Sequence, residues 1–151
     1  SARLSGRFEI GAARGGRWVL DMAHNLDGVE RLLETAVVAE LPRPWIAVVG
    51  ILADKPWRAM LSKLAETLDG LVITRPGEAP RSRRWDPEMV ATSLAGSLRC
   101  RVETVERLDE ALQRGNELSG QGTVFVTGSA YTVGAARSWL DFPVTLEATR
   151  R

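Results

Sequence analysis

Cysteine is nearly missing from this chain of 151 residues; Cys100 is the only one. A single thiol excludes an internal disulfide framework and a multi-cysteine metal site. Its segment, Leu98 to Val102, leads into a candidate strand, where a free cysteine ordinarily packs as a small apolar group. Histidine is as scarce, with His24 alone. Lysine is almost replaced by arginine, and only Lys55 and Lys63 occur. That bias carries no functional conclusion, but it makes each lysine conspicuous. An excess of one charge is also lacking: 20 basic and 19 acidic residues leave a net charge of +1. Such a balance gives no electrostatic footprint for nucleic acid or an anionic membrane. No apolar run approaches the ~20 residues that span a bilayer. The N-terminus has no signal-peptide pattern, so a cytoplasmic protein is expected. Ser1 to Ser5 have no evident structural role. Nor does the chain contain a Gly-x-x-x-x-Gly-Lys-Ser/Thr phosphate loop. The glycine-rich stretch Gly128 to Gly134 lacks the lysine, so the chain is not expected to hydrolyse ATP by itself.

What is present reads as a single folded domain. An apolar content of 44% with 26% charged residues is that of a globular chain with a full core. The hydrophobic pattern alternates between a strand period and a helix period. Phe8 to Ile10 and Trp18 to Asp21 read as strands around an Arg14-Gly15-Gly16 turn. Val29, Leu32, Leu33, Ala36 and Val37 recur at helical spacing, and Pro42 and Pro44 stop that helix. Trp45 to Gly50 is a continuous apolar run, as in a strand buried on both faces. Pro56 suits a first helical turn, and Trp57, Met60, Leu61, Leu64 and Leu68 form the stripe that follows. Leu71 to Thr74 is a strand, Arg75 to Arg84 a loop, and Asp86-Pro87 a cap before Val90, Ala91 and Leu94. Arg101 to Val105 is a strand, and Leu108, Ala111 and Leu112 mark a helix. Thr123 to Thr127 is the last strand, and Tyr131 to Leu140 the last helix, with Pro143 as its stop. The five tryptophans fall mostly on apolar faces; Trp85 stands apart in the loop. No repeat, low-complexity tract or linker interrupts the pattern. Alternating strands and helices predict a Rossmann-like α/β/α three-layer domain with a mostly parallel sheet.

In such sheets ligands bind beyond the carboxyl ends of the strands. Each strand here is followed there by polar or ionisable residues. Asp21, His24 and Asn25 follow the second strand. Three hydrogen-bonding side chains at a strand-to-helix turn can address a nucleotide or an acyl phosphate, and Asn25 or Asp27 can also cap the helix. Asp54-Lys55 follow the third strand, either as an ordinary surface ion pair or as a lysine awaiting an anionic substrate. Thr74, Arg75 and Arg81 follow the fourth. Thr127-Gly128-Ser129 precede the last helix, where glycine permits close backbone approach and free N–H groups beside Ser129 suit an anion. Ser129 is equally an ordinary N-cap.

Several segments together resemble the C-terminal domain of the Mur ligase superfamily, in its folylpolyglutamate synthase and dihydrofolate synthase branch. They are Gly6-Arg7-Phe8-Glu9, then Leu20 to Gly28, then Gly50 to Lys55, then Thr74-Arg75-Pro76 with Pro80-Arg81, and finally Val126 to Gly134. The resemblance implies an amide-forming ligase in which L-glutamate is joined to folate or dihydropteroate through an acyl phosphate, with ATP giving ADP and phosphate. It implies that Arg7 and Asp21 contact ATP and that His24 and Asn25, with Lys55, serve the transferred group. Asp54, Lys55, Ser129 and Tyr131 would seat glutamate. Mg²⁺ ligands and the phosphate loop are expected in a preceding ATPase domain of the same protein, not in this chain. The expectation is therefore one domain, residues 1–151, excised from or truncated out of a longer monomeric ligase and inactive alone. Leu26 stands where proline is usual in the family, Pro56 where an acidic residue is common, and Ala130 and Thr132 where bulkier apolar residues are usual. These departures bear on loop geometry and substrate preference. A cell-wall peptide ligase of the same superfamily and a non-catalytic binding module are the competing readings.

Overall fold

A computed structural model describes residues 7–142. Pro143 and Ser1 to Ser5 lie outside the described residues, as does Gly6. Six strands alternate with five helices: β1 (Glu9–Ala13), β2 (Gly16–Asp21), α1 (Leu26–Ala39), β3 (Trp45–Val49), α2 (Trp57–Thr67), β4 (Gly70–Ile73), α3 (Pro87–Ser93), β5 (Arg101–Thr104), α4 (Leu108–Ser119), β6 (Thr123–Thr127) and α5 (Ala130–Leu140). A short 3₁₀ turn, Arg81–Arg83, lies in the loop before α3.

The strands form one sheet in the order β1-β2-β6-β3-β4-β5. Only β1 runs antiparallel, to β2; all other pairs are parallel. β3, β4 and β6 are buried at every residue, which explains their unbroken apolar composition. Side chains alternate between two cores. Val19, Ala47, Val49, Leu71, Ile73 and Phe125 pack with the inner faces of α1, α2 and α3. Trp18, Leu20, Ile46, Val48, Val72, Val124 and Val126 pack with α4 and α5. The three-layer arrangement expected from the alternating pattern is thus present. No helix among the described residues is long and apolar enough to cross a membrane.

Several boundaries have local causes. Helix α1 ends before Pro42 because Glu40 turns left-handed, at φ 53°, and its N–H returns to the carbonyl of Val37. Helix α3 starts as its sequence suggests: the Asp86 carboxylate accepts from the N–H groups of Glu88 and Met89, with Pro87 in the first turn. Strand β1 extends past Ile10 to Ala13, where Trp18 Nε1 donates to the Ala13 carbonyl at 2.8 Å. Trp85, in the loop, is only 3% exposed; it donates to the Thr74 carbonyl at 2.7 Å and meets Trp57 edge to face.

Candidate functional site

The strand register places the functional candidates on one rim. Asp21 is level with Thr127, Thr127 with Val49, Val49 with Ile73, and Ile73 with Thr104. Five parallel strands therefore end in a single row. Backbone bonds continue across that row, from Gly50 N to Thr127 O, Thr74 N to Val49 O and Val105 N to Ile73 O. Neighbouring strands lie about 4.8 Å apart, so β2 to β4 spans roughly 14 Å of rim. Because β1 is antiparallel, its start, with Arg7, reaches the same rim beside Asp21.

At the β2 end, Asp21 is tied to backbone. One carboxylate oxygen accepts from Phe8 N at 3.0 Å and the other from Ala23 N at 2.9 Å. Burial raises its pKa, opposed by those two N–H groups and by the charges of Arg7 and Arg31. The first bond holds Phe8 in a left-handed conformation, φ 43°, which a non-glycine residue adopts only when its surroundings enforce it. Asn25 is the cap of α1: its Oδ1 accepts from Gly28 N at 2.8 Å. His24 is exposed, and its Nδ1 lies 3.2 Å from the Met22 carbonyl. A carbonyl only accepts, so this contact takes Nδ1–H and leaves Nε2 of the neutral ring as an acceptor.

At the β3 end, Asp54 does not pair with its neighbour Lys55. Its carboxylate receives Arg83 Nε at 3.1 Å, and that guanidinium holds its pKa below the ordinary range. The loops meet because Ala53 N donates to Arg83 O and Leu52 bridges Arg84. Lys55 is half-buried and has no ion-pair partner among the described residues. Arg75, Arg81 and Arg84 line a cleft of about 500 Å³ with Trp85 and Asp86. Arg75 pairs with Glu106, while Arg84 Nε donates to the Ala79 carbonyl at 2.6 Å. Of these, Arg84 had no mark in the sequence beyond its place in a basic loop. A larger hollow of about 870 Å³ opens on the α4–α5 side of this loop, floored by Leu108, Leu112, Ala135 and Trp139. Its rim charges are largely mutual pairs, Arg75 with Glu106 and Arg107 with Asp109, so it offers little net charge to a ligand.

Between the two ends, Ser129 caps α5 through its Oγ, which accepts from Thr132 N at 3.1 Å. It is only 2% exposed, whereas Tyr131 is 37% exposed on the first turn of α5. The Thr127 hydroxyl is buried and has no hydrogen-bond partner among the described residues. Among the described residues no group of three or more His, Cys, Asp or Glu could hold a metal ion. The structure thus brings Arg7, Asp21, His24, Asn25, Asp54, Lys55, Ser129 and Tyr131 to the same rim. It divides them into side chains facing solvent and side chains already committed to internal bonds.

Residues 6–130 match the family described as Mur ligase, glutamate ligase domain. No curated protein matches the chain in sequence. Among solved structures it is similar to the folylpolyglutamate synthase of Mycobacterium tuberculosis complexed with ADP and AMPPCP. That likeness is 27% in identity, with a TM-score of 0.79, over 95% of this chain and 34% of that one. It is similar to the folylpolyglutamate synthase of Thermotoga maritima at 29% identity and a TM-score of 0.75, over 96% of this chain and 32% of the other. A bifunctional folylpolyglutamate synthase/dihydrofolate synthase of Yersinia pestis, complexed with AMPPNP and a Mn ion, is 26% identical with a TM-score of 0.74, over 93% of this chain and 32% of that one. The chain spans about a third of the length of each.

Proposed function

The chain belongs to the Mur ligase, glutamate ligase domain family, and on that premise we propose that it forms one wall of the active site of an ATP-dependent ligase joining L-glutamate to folate or dihydropteroate. The other wall, with the phosphate loop and the metal ligands, is a preceding domain of the same protein. The observation that carries this reading is the single row of parallel strand ends. It sets Asp21, which this reading puts on the nucleotide side, on the same rim as Lys55, a cation without an ion-pair partner among the described residues.

The chemistry asks for such a wall. A pterin-linked carboxylate attacks the γ-phosphorus of ATP, giving an acyl phosphate and releasing ADP. The glutamate amine then attacks the acyl carbon, phosphate departs, and the amine gives up a proton. Negative charge builds first on phosphoryl oxygens and then on the tetrahedral oxygen, so fixed donors and cations lower both barriers. Arg7 neutralises phosphate charge at the β2 end. Asp21 fixes the turn that presents His24 and Asn25 and accepts from the nucleotide side. His24, with Nε2 as its acceptor, and Asn25 lie beside the transferred group. Lys55 takes a glutamate carboxylate, Asp54 holds the lysine loop through Arg83, and Ser129 and Tyr131 complete the glutamate side. Closing the two domains excludes water from a hydrolysable intermediate.

The test is an assay of the full-length protein with glutamate and ATP, offering dihydropteroate or folate in one arm and a nucleotide-linked muramyl peptide in the other. Turnover only with the pterin acceptors is expected. Turnover only with the peptide reassigns the chain to the cell-wall ligases, and none with either overturns the ligase reading. Within an active enzyme, Arg7→Ala and Asp21→Ala raise the ATP requirement, and Lys55→Ala raises that for glutamate.

A further inference from the structure

Ser129 cannot act on a ligand in the way its place on the rim suggests. Its hydroxyl lies 3.0 Å from Thr132 Oγ1, and Thr132 Oγ1 lies 2.8 Å from the Gly50 carbonyl. A carbonyl only accepts, and a threonine hydroxyl has one proton. The Thr132 proton therefore goes to Gly50, and the Ser129 proton goes to Thr132. Ser129 Oγ also accepts from Thr132 N at 3.1 Å. Its one donor is thus committed inward, and a carboxylate, which needs a donor, receives none from it. Burial agrees: Ser129 is 2% and Thr132 0% exposed.

The three groups form a relay that ties the loop after β6 to the loop after β3. The backbones are fitted closely around it. A Cβ on Gly50 would stand 2.6 Å from Thr132 Oγ1, and one on Gly128, whose φ is +118°, 2.5 Å from the Gly50 carbonyl oxygen. Only glycine at both positions lets the loops approach so near. From the Gly50 end the chain runs through buried Ile51 and Leu52 to Lys55. From the Ser129 end it starts α5, whose first N–H groups lack intrahelical partners.

We propose that Thr132 is a positioning residue for the glutamate side of this cleft. It sets the spacing between the Lys55 loop and the start of α5, and the influence of Ser129 on glutamate passes through it. This inference rests on the ligase reading above and goes further by assigning the relay. A valine at 132 keeps the volume but breaks the chain of hydroxyls and leaves the Gly50 carbonyl without its donor. In the full-length ligase, Thr132→Val is expected to raise the KM for glutamate by about tenfold, with the ATP KM unmoved. Thr132→Ser keeps the relay and the wild-type KM. Ser129→Ala raises the glutamate KM, and adding it to Thr132→Val produces no further rise, because both break one relay. Should Thr132→Val not fold, Ser129→Ala must still raise the glutamate KM alone. A wild-type enzyme without glutamate ligation sinks the ligase reading and the inference with it. An active wild type sinks the inference alone if Thr132→Val changes both KM values equally or neither. Additive effects of the two substitutions do the same, since Ser129 then touches glutamate directly.

Discussion

Asp21 and Asp54 are both carboxylates just beyond a parallel strand, yet their surroundings push them in opposite directions. Asp21 sits at the β2 end, where burial raises its pKa against two backbone N–H donors. Asp54 sits at the β3 end in solvent, where Arg83 lowers its pKa. The first is part of the scaffold, because its oxygens fix the start of β1 and the turn toward α1. The second lies on an exposed part of the rim, because its one side-chain partner is the long side chain of Arg83. The rim thus combines a rigid end at β2 with a more adaptable cationic end at β3.

The largest expected effect lies beneath the rigid end. Glu9, 1% exposed, is held by Arg137 of α5. This pair anchors β1, and so Arg7 and the Phe8–Asp21 bond, to the helix on the other side of the sheet. Removing Arg137 takes a close cationic contact from a buried carboxylate. Arg137→Ala should therefore cost about 3 kcal/mol of stability, read as a shift of the urea midpoint. A cost below 1 kcal/mol would mean that Arg137 is not what anchors β1 at this end.

Next comes Asp21→Ala. It strips two backbone N–H groups of their acceptor and frees Phe8 from its left-handed conformation. A loss of about 2 kcal/mol is expected, smaller than for Arg137 because the freed N–H groups lie near solvent. Hydrogen exchange at Phe8 and Ala23 should quicken together. Faster exchange at only one of them would show that the carboxylate holds a single contact in solution.

The opposite pKa directions give a test by pH. The folded state raises the Asp21 pKa, so it binds that proton more tightly than the unfolded chain. The stability this supplies is complete below the ordinary carboxylate value and is lost as pH rises through the raised one. For Asp54 the sign reverses: its stability is present above the ordinary value and is lost as pH falls through the lowered one. Asp21→Asn should therefore make stability climb more steeply with pH from about pH 4 upward, while Asp54→Asn should flatten the acid side. Denaturation midpoints across a pH series check both. A parallel response of the two variants would erase the contrast between the ends.

The sequence disclosed the parts of this rim that are local. Apolar runs stop at Asp21, Gly50 and Thr127, so the strand ends and their polar followers could be read directly. Asp86 and Ser129 announced caps because a cap needs only the next three residues. What escaped were bonds made over long separations. Thr132 reaches Gly50 across 82 positions, and nothing near either residue signals the other. Asp54 beside Lys55 suggests a pair, but the 3₁₀ turn brings Arg83 in from 29 residues away. Glu9 is buried in β1 and meets Arg137 of α5, a residue more than a hundred positions later that no local pattern announces. Trp85 stood in a polar loop; the Thr74 carbonyl beneath it is what draws it inward.

The smallest expected effect belongs to the adaptable end and sharpens what adaptable means. Arg83→Ala removes an ion pair whose side chains are 38% and 55% exposed. Exposed pairs contribute little, so stability should barely change. The informative readout is the Asp54 titration, followed by NMR through its side-chain carboxyl. With Arg83 gone, the carboxylate loses its largest stabilising contact, and its pKa should return toward the ordinary range. If the pKa stays low, Lys55 has swung onto Asp54 and the lysine is no longer an unpaired cation. In that event the Arg83 contact is what keeps Lys55 available to a ligand, and the same variant should raise the KM for glutamate despite its negligible cost to the fold.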